Sequence, residues 1–425
     1  MSRGHETRVH VIGAGLAGLA CAVRLTRKGI PVTLYEATAQ AGGRCRSYWD
    51  NKLERRIDNG NHLLLAANHA ALEYLSDIGA RDRFVSPARA GFPFIDLASG
   101  ERWTIAPDNG RIPWWIFQAS RRVPGSRPRD YLSALKLATA REDQTVADCL
   151  PHDNALWERF WRPFCTSVLN TAPEEASARL LWGTLKETFA KGGAACLPLV
   201  PKEGLSDALI DPALAVIQKA RDNAVRFSHR LRSFEFRDGQ IRSLDFGNKQ
   251  VEPGKSDMVV LALPPGNTGQ VLPGLAVPDD SRPIVNVHIR IETTPAPAPV
   301  LPPERPFLGL VGGGFDWIFL RGDVASLTGS AAADLAELPA ERIAELAWAE
   351  TAQALGLKSG TTHEIRVVKE RRATFAQTPE ALKLRPGVRT AWSNLLLAGD
   401  WTDTGYPATI ESAIRSGHTA ARLIG

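Results

Sequence analysis

The chain has 425 residues, 44% of them apolar, enough for about two to three domains with full-sized cores. With 51 basic and 46 acidic residues the net charge is +5, too mild for a nucleic-acid binder but compatible with an anionic membrane surface. The five cysteines are odd in number and contain no CxxC pair, so neither a disulfide framework nor a zinc site is expected, and a reducing cytoplasm is the expected compartment.

The first element is a strand at Val9-His10-Val11-Ile12, which runs into Gly13-Ala14-Gly15-Leu16-Ala17-Gly18. Residues 9–23 are apolar apart from His10, yet too short to span a bilayer. Leu16, Leu19, Ala20 and Val23 fall at i, i+3, i+4 and i+7, which predicts a helix with one apolar face. Gly13 allows a tight turn, Gly15 lets the backbone approach a pyrophosphate, and Gly18 lets helix and strand pack closely. A pyrophosphate would sit at the helix N-terminus, where free N–H groups and the dipole attract it. A second strand, Val32-Thr33-Leu34-Tyr35, ends in Glu36, an acid placed to accept hydrogen bonds from a ribose diol. Glycines alone are a weak signal; strand, turn, helix, strand and acid in this order are a strong one. Next comes Gly42-Gly43-Arg44, a second glycine pair typical of two-dinucleotide-binding flavoproteins, in which an Arg reaches the flavin side of FAD. Asp58-Asn59-Gly60-Asn61-His62 resembles the segment that passes close to the flavin ring in those proteins. For Asp58 and His62 a turn and helix cap ahead of a helix at Ala70–Ile78 is the plainer alternative.

The stretch Arg111-Ile112-Pro113-Trp114-Trp115-Ile116-Phe117 is followed by Arg121, Arg122, Arg127 and Arg129, with no acid before Asp130. Tryptophans beside arginines suit a monotopic membrane contact, or else a cap with buried aromatics and solvated arginines. Trp157, Phe160, Trp161 and Phe164 form a helical aromatic stripe, read as core packing or as the wall of a tunnel for a long apolar ligand. Leu197–Leu205 reads as a proline-bounded strand and turn. Val225–Leu231 reads as a short strand at the adenine end of a nucleotide, and Asp257–Pro264 as a buried strand returning to the same domain. Pro295–Pro306 is expected to be a surface loop, and Gly312-Gly313-Gly314 a turn. No second glycine fingerprint precedes a strand and an acid, so a dedicated NAD(P)H domain is not expected. The C-terminal part reads as a strand at Asn394–Ala398, then Gly399-Asp400, a loop, and a helix from near Pro407 to about Ile424.

These motifs identify a resemblance to the phytoene desaturase/amine oxidase superfamily of FAD proteins. Within it, the chain is similar to the squalene-associated branch, the hydroxysqualene dehydroxylases of bacterial hopanoid synthesis. The segments that carry the resemblance are Val11–Gly18, Ala41–Tyr48, Arg56–Leu65, Leu169-Asn170-Thr171-Ala172 and Gly399–Ala413. The implied fold is α/β: a discontinuous, Rossmann-like, two-dinucleotide-binding FAD domain (1–84, 221–281 and 391–425) with an α+β substrate domain (85–220 and 282–390). The implied cofactor is FAD, held non-covalently, since no cysteine follows Cys196. The implied contacts are Gly13, Gly15, Leu16, Ala17, Gly18, Glu36, Ala37, Gly42, Gly43, Arg44, Asn59, Gly60, Asn61, His62, Leu231, Gly399, Asp400, Pro407, Ala408 and Thr409.

The branch implies reduction: an allylic hydroxyl of hydroxysqualene leaves as water and a hydride replaces it. Hydroxide leaves poorly unless protonated, so a general acid is expected near the flavin, with Asp58, His62, Asp403 and Glu411 as candidates. Glu411 also reads as an ordinary helix residue. The expected partners are a long apolar isoprenoid, an external electron donor, upstream squalene-pathway synthases and a membrane surface at the inner face of the cytoplasmic membrane, with no nucleic acid. A carotenoid-type desaturase or isomerase would need the same FAD site and tunnel. A flavin amine oxidase fits less well, because its usual cage tyrosine falls at Thr409. A flavin-binding protein without turnover is the remaining alternative.

Overall fold

The computed structural model describes residues 7–291, 301–357 and 363–424. Its nucleotide-binding part is a five-stranded parallel sheet in the order Ala224–Arg226, Val32–Tyr35, Val9–Ile12, Met258–Leu261, Leu395–Leu397. Val9–Ile12, Val32–Tyr35 and Leu395–Leu397 are buried at every position. Helices cover both faces of such a sheet, which is why these strands are unbroken apolar runs rather than alternating ones. The chain returns to the sheet twice after long excursions, so its C-terminal strand Leu395–Leu397 lies at the edge beside Met258–Leu261, far back in the sequence. The helices Leu16–Arg27 and Ile410–Ile424 pack against one another on this sheet, in one core with Leu34, Val260 and Leu396.

The second part is a seven-stranded mixed sheet in the order His363–Phe375, Ser281–Ile291, Val324–Gly329, Trp317–Arg321, Phe307–Val311, Phe92–Asp96, Arg102–Ile105. Neighbours are antiparallel except Phe307–Val311 beside Phe92–Asp96. Strand Ser281–Ile291 shows the period of two: Val285, Val287 and Ile289 join a core with Ile343 and Ala347 of helix Ala340–Leu355. The alternate residues Asn286 and His288 are buried on the opposite side. Residues 114–191 form a mostly helical section whose core joins Phe94 and Trp103 of the sheet to Trp157, Phe160 and Trp161. Gly312–Gly314 forms the expected turn between two strands. The expected loop Pro295–Pro306 lies partly outside the described residues.

Three elements differ from the sequence reading. The aromatic stripe is not one regular helix: Trp157–Trp161 winds as a wide π-turn before the α-helix Arg162–Leu169. Pro163 lacks the N–H that a regular turn would need there, and a wide turn absorbs the lost bond. The last helix starts at Ile410, three residues after Pro407, with the Thr409 hydroxyl accepting the Ser412 N–H at 3.3 Å. The helix expected at Ala70–Ile78 runs His69–Asp77. Neither Asp58 nor His62 caps it. The Glu411 carboxylate does so instead, accepting the Ala70 and Ala71 N–H groups at 3.0 and 2.9 Å. Among the described residues no helix is long and apolar enough to cross a membrane.

Candidate functional site: a split dinucleotide cleft opening into an aromatic cavity

A cavity of about 930 Å³ lies at the carboxyl ends of the parallel strands, where open α/β sheets place ligands. One end is built by the glycine fingerprint. Gly13 has φ +105°, and a Cβ there would stand 2.5 Å from the Ala262 carbonyl oxygen. A Cβ on Gly18 would stand 1.9 Å from the Gly13 carbonyl oxygen, so helix and turn meet only because residue 18 is glycine. A Cβ on Gly15 would meet nothing within 4 Å, which leaves its backbone open toward the cavity. Glu36 braces the turn: one carboxylate oxygen accepts the Ala14 N–H at 3.0 Å and the other accepts the Thr38 N–H and hydroxyl, both at 2.9 Å. The second glycine pair is bonded directly to the first, with the Gly42 N–H donating to the Ala14 carbonyl at 2.8 Å.

Arg44 joins the two halves of the cleft. Its guanidinium donates to Asp400 at 2.7 Å across 356 positions of sequence. Burial works against the charge of Arg44, but its acidic surroundings, Asp400 foremost and Glu370 further off, hold the pKa above the ordinary value. The loop after Asp400 is held by Arg385, which the sequence reading missed. Its buried guanidinium donates to the carbonyls of Asp400, Trp401, Thr402 and Tyr406. That loop delivers Pro407, Ala408 and Thr409 to the cavity wall and points the positive end of helix Ile410–Ile424 at it. A second missed contribution comes from the mixed sheet. Asn61 donates to Thr328 at 3.0 Å, Thr328 to Asn286 at 2.9 Å, and Asn286 to the Asn59 carbonyl at 3.2 Å. The signal for Asn286 was present as a polar residue interrupting the run Ile284–Ile291.

The predicted cofactor residues, from Gly13 to Thr409, all line this cavity except Gly18, which lies beneath the turn. The cavity therefore fits an extended dinucleotide: a glycine-lined N-terminal helix end, a carboxylate 22 residues on from Ala14, and an Arg–Asp pair beyond. Past Asn61 its wall turns aromatic, with Phe94, Phe160, Phe164, Phe189, Trp317 and Phe319. Cys45 also faces it, but burial pushes its thiol up to about 12, so it is not a nucleophile.

The four candidate acids separate. Asp403 is exposed and lies outside the cavity, its carboxylate accepting the Gly405 N–H, so position does not support an acid role. Glu411 touches the cavity, but both of its oxygens cap helix His69–Asp77 and Arg415 lies 3.5 Å away. Asp58 lines a neighbouring cavity of about 300 Å³ and is fully engaged by Ser47 at 2.5 Å, the Leu205 N–H at 2.9 Å and Arg321 at 2.8 Å. His62 lines both cavities and makes no hydrogen bond among the described residues. Burial pushes its pKa down to about 4, with Asp58 opposing the shift and Arg44 adding to it. The imidazole is thus neutral at pH 7 and its ring nitrogens are free for a ligand.

Comparison with known proteins agrees with this geometry. Residues 16–425 match the profile of the family described as flavin containing amine oxidoreductase. The chain is 45% identical to the hydroxysqualene dehydroxylase of Zymomonas mobilis, covering 97% of this chain and 98% of that one. It is 44% identical to the hydroxysqualene dehydroxylase of Rhodopseudomonas palustris, covering 98% of each. Among solved structures, an oxidoreductase from Methanosarcina mazei superimposes with a TM-score of 0.73 at 15% identity, covering 98% of this chain and 100% of that one. The protein is an FAD-dependent oxidoreductase, and the chain belongs to the flavin-containing amine oxidoreductase family.

Proposed function

We propose that the protein converts hydroxysqualene to squalene, replacing an allylic hydroxyl by hydrogen. The observation that carries this reading is the near-full-length similarity to hydroxysqualene dehydroxylases, at 44–45% identity. The cavity supports it, being polar and glycine-lined at the cofactor end and aromatic beyond Asn61. A C30 isoprenoid sheds its hydration cost in such an apolar enclosure.

The overall change adds one hydride and one proton to the alcohol and releases one water. Held in the cleft in its reduced form, FAD would supply the hydride. The chain must then hold the dinucleotide, exclude water from the reacting carbon and deliver a proton to the departing oxygen. Glu36, Gly15 and the Arg44–Asp400 pair are placed to hold the cofactor. The positive end of helix Ile410–Ile424 favours negative charge on the part of the cofactor that faces it. The aromatic wall keeps water out. His62 lines the cavity with no hydrogen bond among the described residues, and its imidazolium, the minor form at pH 7, is assigned the role of donor to the leaving hydroxyl.

Electrons are assigned to an external donor, since the chain carries no second nucleotide fingerprint, and the alcohol to upstream squalene-pathway synthases. The protein is placed at the cytoplasmic face of the membrane, where its substrate partitions. The test is direct. Purified, photoreduced protein incubated with hydroxysqualene yields squalene by mass spectrometry. No squalene, alongside conversion of phytoene in a parallel incubation, would replace this reading with the carotenoid-type one.

A further inference from the structure

Among the described residues nine large apolar side chains are exposed, and five of them fall between residues 112 and 135: Ile112, Trp114, Phe117, Leu132 and Leu135. Scattered exposed hydrophobics need no explanation, whereas a cluster on one short segment does. The cause is local. Trp114–Phe117 is a 3₁₀-helix, and at three residues per turn positions i and i+3 share a side. Trp114 and Phe117 therefore both point outward, 60% and 61% exposed, with ring centroids 6.0 Å apart. Trp115 and Ile116 point inward and are buried.

The inward side reaches the substrate cavity. The Trp115 ring lies 6.3 Å from Phe189, and Phe189 lies 5.7 Å from Phe160 and 5.8 Å from Phe164. All three phenylalanines line the cavity. One short helix and one aromatic layer thus separate the exposed patch from the enclosed space. Around the patch Arg111, Arg127, Arg129 and Lys136 are exposed and carry no ion pair among the described residues. Asp130, the acid within the same segment, accepts the Arg127 N–H at 2.7 Å.

We infer that this patch docks on an anionic bilayer and that helix Trp114–Phe117 is the wall nearest the point where an apolar substrate passes between bilayer and cavity. Tryptophan, phenylalanine and leucine enter the headgroup boundary, while the unpaired cations of the same segment meet anionic lipid. The passage of substrate rests on the proposed function; the docking does not.

The test is flotation of the holoenzyme with vesicles of equal parts phosphatidylglycerol and phosphatidylcholine, and with phosphatidylcholine alone. The protein floats with the mixed vesicles, less with neutral ones, and less at high salt. The W114S/F117S variant partitions at least about tenfold more weakly with its flavin content unchanged. R127E/R129E loses the preference for anionic vesicles. Both variants retain turnover of hydroxysqualene in detergent micelles and lose it with vesicle-borne substrate. Flotation of W114S/F117S equal to the unsubstituted protein overturns the docking surface. So does a dimer in light scattering that W114S/F117S dissociates, which would make a second copy the occupant. A protein that floats but turns over no hydroxysqualene in detergent overturns the proposed function and leaves the docking surface standing.

Discussion

The two ends of the cavity are built by different means. At the dinucleotide end, backbone meets backbone, Gly18 against Gly13 and Gly42 bonded to Ala14, and the Arg385 guanidinium gathers the carbonyls of Asp400 and the loop after it. At the substrate end the wall is made by interdigitated rings such as Phe160, Phe164 and Phe189. Backbone contacts at this range tolerate no added atom, whereas an aromatic layer can be repacked at modest cost. The cofactor end should therefore fail all at once, and the substrate end by degrees.

The harshest way to test that contrast is Gly18→Ala. Its methyl has no room beside the Gly13 carbonyl, so the protein should be recovered without flavin, as read from the absorbance ratio of flavin to protein. A variant that keeps full flavin content would show that the turn is adaptable. Next comes Arg385→Ala, which leaves several buried carbonyls of the 400–406 loop without their donor. It should lower stability to denaturant by about 3 kcal/mol and weaken FAD binding together. A loss of stability with unchanged FAD affinity would detach this loop from the cofactor.

His62→Gln acts at the junction of the two ends. It should lower kcat by about a hundredfold while the flavin is retained. The sign of the pH effect follows from a pKa pushed down to about 4. Above that value the imidazole is neutral, and each step down in pH raises the protonated fraction. The rate of the unsubstituted protein should therefore climb as pH falls from 8 toward 5, and the climb should vanish in His62→Gln. A climb that persists in the variant would move the proton to another group.

The cofactor end was legible in the sequence because its requirements are local and chemical. Glycine at a fixed spacing, an acid after the second strand and an Arg after the second glycine pair each answer one constraint of the ligand. The parts that were not legible depend on distant partners. Glu411 read as a candidate acid because it stands just inside the last helix, but its oxygens belong to the N-terminus of a helix about 340 positions away. Asp403 stands near Asp400 in sequence, yet the loop turns it to solvent. Arg385 lies in a stretch without periodicity, and its role exists only once the 400–406 loop folds back over it. Asn170 adopts a left-handed conformation (φ +47°) and ties helix Arg162–Leu169 to the Arg282 carbonyl, the Thr374 hydroxyl and the Ala331 N–H. The sequence motif marked Asn170 as notable without saying that it is a joint between the helical section and the sheet.

On this reading the two ends form one reaction chamber, with cofactor and isoprenoid in the same cavity. The most direct measurement is an anaerobic single turnover of the photoreduced protein, following flavin absorbance and squalene together. Hydroxysqualene should reoxidise the flavin, with one squalene formed per flavin. Flavin that stays reduced in the presence of hydroxysqualene, or reoxidises without squalene, would contradict it.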